Sequence, residues 1–254
     1  MRRAWALYLS VAVVFCACGP GAAPGPIPPA KTTAVVPPDA ATSRSRTDLE
    51  IEVLADGLLA KARALEPSVS PRLRELAADA NGQLVGFEHR FKTRESTIRK
   101  IRQRLAGKPG LPVREVVIDD ALRYTIRVDD EPAGHYNRTG RDVLSALESD
   151  GHVVVRVKNY WPKGDNYSGV NSVLRGPSGL EWELQFHTSA SLATQQEGRP
   201  LYEEMRLTAT PAARKLELFQ LLTAPWESVQ IPAGVLDEQS LHEREKIIRR
   251  DPPR

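Results

Sequence analysis

The first part of the folded chain has the hydrophobic pattern of an amphipathic helix. Within residues 48–64 the apolar side chains recur at helical spacing: Leu49, Ile51, Val53, Leu54, Leu58 and Leu59. Pro67 is expected to end this helix, because an interior proline removes a backbone hydrogen bond. Ser70 and Pro71 form a typical N-cap and first turn, which predicts a second helix through about Ala80.

Alternating polar and apolar residues predict strands in much of the remaining chain. The strand-like segments are residues 84–91, 113–128, 152–160, 171–175 and 180–188. Further helices are predicted for residues 96–105, 137–149 and 201–222, the last of which Pro211 can divide. This order of elements predicts an α/β (α+β) fold in which a mixed sheet of about five strands is flanked by helices.

The segment at residues 180–188 has the clearest alternation. One set of side chains is apolar and is expected to face the core: Leu180, Trp182, Leu184 and Phe186. The other set is polar and is expected to form a solvated face: Glu181, Glu183, Gln185 and His187. His187 is expected to be a hydrogen-bonding surface residue rather than a metal ligand, because no second histidine has metal spacing.

The N-terminus has the features of an export signal. Residues 1–3 are positively charged and residues 4–17 form an apolar run that is too short to span a bilayer comfortably. The sequence Cys-Ala-Cys-Gly at residues 16–19 resembles a bacterial lipoprotein signal with Cys18 as the lipidated residue. We therefore expect an exported protein that is anchored in the cell envelope through a lipid on Cys18, or is otherwise secreted.

Composition divides the chain into four parts. Residues 1–18 form the signal, and residues 19–46 are rich in Pro, Ala, Gly, Ser and Thr, which is typical of a disordered tether. Residues 47–235 are expected to fold as one domain, and residues 236–254 to form a charged tail, with a charged helix or a frayed end at 241–249. Both cysteines lie in the signal, so the domain is expected to have no disulfide and no thiolate metal site. The net charge of +3 indicates no general affinity for nucleic acid.

A basic segment in the chain favours phosphate binding. Arg90 and Lys92 lie two residues apart at the end of a predicted strand, so their side chains are expected to leave the same face. Ser96 begins the next predicted helix, whose free N–H groups attract anions, and Arg99 and Lys100 add positive charge along it. This combination suits a polyphosphate. A solvated basic face is the alternative, whereas a nucleic-acid groove is disfavoured because interleaved aromatic residues are absent.

Carboxylates on two predicted strands are candidates for a metal site. Glu183 lies on the expected polar face of its strand, where it can coordinate a hard cation such as Mg²⁺. Asp119 and Asp120 precede a second strand, and strict alternation places Asp119 on the face of Arg123. The start of that strand, or a bulge, can select Asp120 instead, so the choice stays open. A strand with one wet face and a pair of turn aspartates is the alternative interpretation.

A loop at residues 161–171 is rich in Lys, Asp, Asn and Gly and displays a single tyrosine, Tyr167. An aromatic ring in such a loop can serve as a stacking surface for a flat ligand. Because the acidic strand follows directly, the pattern indicates an aromatic platform beside a metal-binding carboxylate.

Four short motifs, taken in order, resemble the RelA/SpoT synthetase domain. They lie between about residues 84 and 210 and are Arg90-x-Lys92-x-x-x-Ser96, Asp120, Lys163-x-x-x-Tyr167-x-x-x-Asn171 and Glu183-Leu-Gln185-x-x-Thr188. The resemblance implies a nucleotidyltransferase-like fold and a small, synthesis-only enzyme. The family reaction transfers the β,γ-pyrophosphate of ATP to the ribose 3′-hydroxyl of a purine nucleotide, with AMP as the second product. The export signal makes this chain similar to secreted ATP nucleotide 3′-pyrophosphokinases.

The resemblance also implies roles for individual residues. ATP phosphates would be bound by Arg90, Lys92, Ser96, Arg99 and Lys100. Mg²⁺ would be held by Asp120 and Glu183, and Glu183 would lie near the acceptor hydroxyl. The acceptor nucleotide would stack on Tyr167 and contact Lys158, Lys163, Asp165 and Asn171.

Departures from the family pattern surround the acceptor base. Arg123 occupies a position where the family has glycine, Asn166 replaces a second glycine, Asn171 replaces a histidine and Asp165 stands where asparagine is usual. Strict guanine specificity is therefore not expected. A secreted toxin that acts on nucleotides or RNA 3′ ends, and an inactive nucleotide-binding envelope lipoprotein, stay as alternatives. The expected partners are ATP, a purine nucleotide and, through Cys18, a membrane; the sequence indicates no protein partner.

Overall fold

A six-stranded mixed sheet forms the centre of the computed structural model, which describes residues 45–237 and 239–248. The strands are β1 (Gln83–Val85), β2 (Arg123–Arg127), β3 (Val153–Asn159), β4 (Val170–Arg175), β5 (Glu181–His187) and β6 (Glu245–Ile247). Their spatial order is β1-β2-β5-β4-β3-β6, in which β2 with β5 and β3 with β6 are parallel and the other pairs antiparallel. The predicted mixed sheet is confirmed, with one strand more than the about five expected.

Five α-helices flank the sheet in the described part of the chain. They are α1 (Arg46–Asp79), α2 (Arg94–Ala106), α3 (His135–Ser149), α4 (Ser189–Met205) and α5 (Ala212–Thr223). The helices predicted at 96–105 and 137–149 are confirmed as α2 and α3. The helix predicted at 201–222 is divided, as Pro211 allowed, because α4 ends at Met205 and α5 begins at Ala212. Helix α4 also begins well before Leu201. None of the helices in these residues is long and apolar enough to cross a bilayer.

The sequence pattern predicted that the first helix ends at Pro67, but it does not. Helix α1 continues through both Pro67 and Pro71. Its buried side chains follow one stripe on both sides of the prolines: Ile51, Ala55, Leu59, Ala62, Leu65, Val69, Ser70, Leu73 and Ala77. Packing along this whole stripe offsets the backbone hydrogen bonds that the prolines lack.

Two predicted strands are much shorter in the structure. The segment predicted as 84–91 pairs only over β1, because Gly86 has a φ of 60° and leads into the 3₁₀ turn Phe87–His89. The segment predicted as 113–128 pairs only over β2 and begins with the 3₁₀ turn Val113–Glu115. Arg90, which follows the turn Phe87–His89, has helical backbone angles. The prediction that Arg90 and Lys92 share one face of a strand is therefore wrong.

Strand β5 lies in the middle of the sheet, between β2 and β4. Its apolar residues Trp182, Leu184 and Phe186 are 0% exposed, which confirms the predicted core face. Trp182 makes an edge-to-face contact with Tyr124 of β2, with 5.9 Å between the ring centroids. The core packing of these side chains therefore fixes how β5 lies against β2.

The C-terminal segment belongs to the folded domain as far as the structure describes it. Residues 236–254 were predicted to form a charged tail, but β6 pairs with β3 and Leu241 is buried. The Glu245 carboxylate accepts hydrogen bonds from Asn159 Nδ2 and the Leu241 backbone N, both at 2.8 Å. At the other end α1 starts at Arg46, close to the predicted boundary, whereas the signal with Cys18 and the tether up to residue 44 lie outside the described residues.

Candidate active-site cleft

A cleft of about 510 Å³ lies over the polar face of strands β2 and β5. Because these strands are parallel, with Arg123 opposite Glu183 and Thr125 opposite Gln185, all four side chains line its floor. Helices α2 and α4 contribute residues to its walls. The predicted polar face of β5 is thus the floor of a cleft at Glu183 and Gln185.

Many of the predicted site residues meet in this cleft although they come from separate segments. Those that line it are Lys92, Ser96, Lys100, Asp120, Tyr167, Asn171 and Glu183. The basic segment, the acids and the aromatic loop are therefore brought together around one space.

The structure distinguishes between the two aspartates that the sequence left open. Asp120 lines the cleft, whereas Asp119 accepts hydrogen bonds from Lys100 Nζ at 2.8 Å and from Arg156 at 2.6 Å. Strand alternation does not decide the matter, because both residues precede β2. Although burial opposes ionisation, the charges of Lys100 and Arg156 lower the pKa of Asp119 to about 2.

Asp120 forms ion pairs with both lysines of the cleft. Its Oδ2 accepts a hydrogen bond from Lys92 Nζ at 2.8 Å, and its Oδ1 lies 2.9 Å from Lys100 Nζ. Burial disfavours the charged carboxylate, but the two lysines outweigh it and lower the pKa of Asp120. The carboxylate is therefore ionised at neutral pH, as a metal ligand must be.

The pKa of Glu183 is shifted in the opposite direction to that of Asp120. Burial, together with the negative charge of Asp120, raises its pKa to about 7, and the hydrogen bond from Gln185 Nε2 at 2.6 Å opposes the shift only in part. A carboxyl group with this pKa exchanges its proton near neutral pH, which suits a general base.

The pair of acids fits a cation that is completed by its substrate. Among the described residues no group of three or more His, Cys, Asp or Glu side chains forms a closed metal site. Mg²⁺ usually takes only one or two carboxylates and completes its shell with water and phosphate oxygens. Burial and the negative charge of Asp120 disfavour the ionised form of Glu183, and a cation bound between the two acids would favour it.

Tyr167 is held by several contacts at the edge of the cleft. Its hydroxyl donates to Asn171 Oδ1 at 2.6 Å and lies 3.0 Å from His187 Nε2. Its ring packs near Trp226, with 6.1 Å between centroids. The ring is thereby fixed in position in the cleft that Asp120 and Glu183 also line.

His187 was predicted to be a surface residue, and this is wrong. The side chain is 0% exposed, and burial lowers its pKa to about 4, so the imidazole is neutral at pH 7. Its Nδ1 lies 3.0 Å from the Ser191 hydroxyl, while Nε2 meets Tyr167. His187 faces inward because the end of β5 is covered by the Tyr167 loop and by the start of α4.

Two predicted cations are engaged elsewhere in this structure. Arg90 donates to Glu66 at 3.0 Å, and its guanidinium lies 3.9 Å from the centroid of the Phe87 ring. Lys163 Nζ donates to three backbone carbonyls at 2.6–3.1 Å, those of Trp226, Glu227 and Val229. Neither residue is among those that line the cleft.

Three further predicted residues are also absent from the cleft lining. Arg99 donates to Ser96 Oγ at 3.2 Å. Asp165 is buried and accepts a hydrogen bond from the Asn166 backbone N at 2.7 Å. Lys158 lies on β3, in register with Asn171 of β4.

Several residues that line the cleft were not predicted as site residues. Arg123 lies on the floor, and α4 with its C-cap residue contributes Gln195, Arg199, Tyr202 and Arg206. Their spacing of four, three and four residues is typical of one helical face. This face was missed because the predicted helix began at residue 201, which separated Gln195 and Arg199 from Tyr202 and Arg206.

Comparison with known proteins gives structural similarity only. No protein-family model and no curated protein matches the chain. The type VI effector Tas1, solved with its immunity protein, is 18% identical, with coverage of 68% of this chain and 94% of that chain and a TM-score of 0.43. A GTP pyrophosphokinase family protein from Streptococcus pneumoniae is 16% identical (70% and 88%, TM-score 0.44). Small alarmone synthetase 1 from Bacillus subtilis, bound to its product pppGpp, is 15% identical (68% and 90%, TM-score 0.44). Because these identities are low, the functional proposal is based on the side chains of the cleft.

Replacing Glu183 with glutamine should stabilise the protein in a pH-dependent manner. Because the pKa of Glu183 is raised to about 7, the folded state holds this proton more tightly than the unfolded state. The resulting stability is complete below pH 4.5 and is lost as the pH rises through 7. Glu183→Gln should therefore raise the melting temperature at pH 8.5 by about 2–4 °C for each kcal/mol regained, and change it little at pH 5.

Differential scanning calorimetry in EDTA measures this effect. Glu197→Gln, at an exposed position of α4, is the control and should show no difference between the two pH values. An equal change for Glu183→Gln at pH 5 and pH 8.5 would contradict the assigned electrostatics.

Proposed function

We propose that this chain is a Mg²⁺-dependent pyrophosphokinase that transfers the β,γ-pyrophosphate of ATP to the ribose 3′-hydroxyl of a purine nucleotide. The observation that carries the proposal is the position of Glu183, a carboxyl group with a pKa of about 7, beside the ionised Asp120 in a cleft that also holds two lysines and an aromatic ring. The order of the motifs, which resembles that of the RelA/SpoT synthetase domain, supports the same reaction.

The basic wall suits the triphosphate of ATP. Lys92 and Lys100 supply positive charge, and Ser96 offers a hydroxyl at the start of α2. A bound Mg²⁺ would be held by Asp120 and Glu183 together with phosphate oxygens, and it would withdraw charge from the transferred group. Lys92 and Lys100, which pair with Asp120 in this structure, would then also bind the phosphates of the nucleotide.

The reaction can be written for the groups of this cleft. The 3′-hydroxyl oxygen attacks the β-phosphorus of ATP, and a new O–P bond forms as the bond from the β-phosphorus to the α,β-bridging oxygen breaks. AMP leaves with that oxygen, and the hydroxyl proton passes to the Glu183 carboxylate. The lysines stabilise the charge on the transferred phosphoryl oxygens.

The aromatic loop suits the base of the acceptor. Tyr167 presents a ring that the bonds to Asn171 and His187 hold in place, so stacking costs little side-chain entropy. The contacts of a ring face do not distinguish adenine from guanine. The proposal therefore covers acceptors of both kinds, with (p)ppGpp-type or (p)ppApp-type products.

Glu183→Gln should remove pyrophosphate transfer while the protein stays folded. The amide cannot accept the hydroxyl proton and is a poor Mg²⁺ ligand, so the rate of AMP formation should fall by at least about 10²-fold. AMP release is measured by chromatography with ATP, Mg²⁺ and a mixture of GMP, GDP, GTP, AMP and ADP. EDTA should abolish the activity of the unchanged protein.

Glu181→Gln is a matched control for this experiment. Glu181 lies on the same face of β5, two residues away, but it is bound to Arg175 at 2.8 Å and does not line the cleft. Its variant should retain most of the activity. Full turnover by Glu183→Gln would show that the site is wrongly assigned, and nucleotide binding without any AMP would indicate an inactive binding protein. Transfer to tRNA ends but not to free nucleotides would favour a toxin.

Tyr167→Ala should raise the KM for the acceptor by about tenfold or more, since base stacking contributes about 1–3 kcal/mol. The KM for ATP should change by less than about twofold. Tyr167→Phe keeps the ring and loses the hydroxyl, so its acceptor KM should lie between the two. Initial rates with one substrate saturating separate the effects, and an equal rise in the KM for ATP would place Tyr167 at the donor instead.

We further propose that the protein is exported and lipid-anchored through Cys18, as its N-terminal sequence indicates. Cells expressing the full chain should incorporate labelled palmitate into it, and Cys18→Ala should abolish the label. Cys16→Ala is the matched control, because this cysteine lies two residues earlier and should not be required. Label that persists in Cys18→Ala would exclude this anchor.

A further inference from the structure

The reaction proposed above requires two anion sites, one for ATP and one for the phosphates of the acceptor. The α2 wall supplies Lys92 and Lys100 for one of them. The cations predicted for the other do not line the cleft: Lys163 is bound to three carbonyls and Lys158 lies on β3. The arginines that line the cleft are Arg123, on the floor opposite Glu183, and two on the wall formed by α4.

Helix α4 presents such charge from the other wall of the same cleft. Arg199 and Arg206 line it, with Tyr202 between them on the same helical face. They lie seven residues apart, which is two helical turns or about 10.5 Å along the axis. Two guanidinium groups at this spacing can reach a chain of phosphates from both ends, whereas one phosphate is too small to occupy both.

The position of α4 is fixed relative to the catalytic floor. Its N-cap, Thr188, directly follows β5, and the Ser189 backbone N donates to Asp129 Oδ1 at 2.7 Å. A side chain at Gly198 would come within 3.0 Å of Leu222, so α4 lies close against α5 at this point. The backbone positions of the arginines are thus fixed relative to β5, which carries Glu183, and this favours a constant orientation of a bound acceptor.

The arginines are also available to a ligand. Arg199 is exposed, and Arg206 makes an i,i+3 pair with the exposed Glu203 at 3.3 Å and lies 6.0 Å from the centroid of the Tyr202 ring. Such a surface pair contributes little, so exchange of Glu203 for a phosphate is inexpensive. By contrast, Lys92 is bound to the half-buried Asp120 and Lys100 to the buried Asp119.

We propose that Arg199 and Arg206 of α4 form the site for the 5′-phosphates of the acceptor and determine how the enzyme responds to their number. This inference rests on the proposed function. The acceptor base lies at Tyr167, its 3′-hydroxyl at Glu183 and its 5′-phosphates along α4. An acceptor with two or three phosphates contacts both arginines, and a monophosphate contacts one.

Kinetics with acceptors that differ only in phosphate number test this assignment. At saturating ATP, the KM of the unchanged protein should fall from GMP to GDP to GTP, and from AMP to ADP. Arg199→Ala and Arg206→Ala should each raise the KM for GTP by about tenfold, the usual effect of losing a hydrogen bond to a charged group. The double variant should show nearly the same KM for GMP and GTP, with the KM for ATP as donor unchanged.

Arg214→Ala is the matched control, because it removes the same charge from the same pair of helices outside the cleft. Arg214 is bound to Glu204 at 2.8 Å and does not line the cleft. Arg199→Lys should recover part of the loss by restoring the charge. A larger rise in the KM for ATP than for the acceptor, or no change in the response to phosphate number, would overturn the assignment.

Equilibrium binding separates failure of this inference from failure of the proposed function. Binding of GMP, GDP and GTP is measured calorimetrically with Mg²⁺ on Glu183→Gln protein, with and without the two arginine substitutions. Weaker GTP binding with GMP binding retained supports the anion site, even if the unchanged protein forms no AMP and the proposed reaction is wrong. Equal loss of GMP and GTP binding would overturn it, since that pattern indicates damage to the base site or to the fold.

Discussion

The parallel pairing of β2 with β5 is the constraint on which the cleft depends. The register that places Arg123 opposite Glu183 also brings Asp120, three residues before Arg123, to the same end of the floor. A slip of one residue would turn Glu183 toward the core and an apolar neighbour toward solvent. The buried contact between Tyr124 and Trp182 opposes such a slip, so hydrophobic packing on one face of the sheet determines electrostatics on the other.

Local sequence patterns predicted the helices and strands that are determined by their own residues. The alternation in β5 was readable because one face is wholly buried, and α2 was readable from its spacing. The continuation of α1 through Pro67 could not be predicted in this way, because packing against residues far along the chain stabilises it. Likewise β6 is polar and short, and it forms a strand because β3 offers a free edge to Glu245–Ile247.

In the site, too, local motifs predicted some residues, whereas contacts between distant segments could not be predicted. Lys92, Asp120, Tyr167 and Glu183 were identified from motif order, and the structure brings them to one cleft. The surroundings of Arg90 could not be identified, because Glu66 lies 24 residues away and reaches it only once α1 is folded. The face shared by Arg199 and Arg206 was not identified for a simpler reason, since the predicted helix began at residue 201 and left Arg199 outside it.

The ion pairs of Lys92 and Lys100 have a consequence for what the cleft admits. In the described structure these lysines already neutralise Asp119 and Asp120, so positive charge on that wall is balanced before any ligand arrives. A bare phosphate that takes a lysine removes one of the two cations that pair with Asp119 or Asp120, which is costly for a carboxylate with little exposure to water. A triphosphate that carries its own divalent cation returns a positive charge to the carboxylate as it takes the lysine. Entry is therefore an exchange of partners, and the wall selects ligands by charge balance as well as by shape.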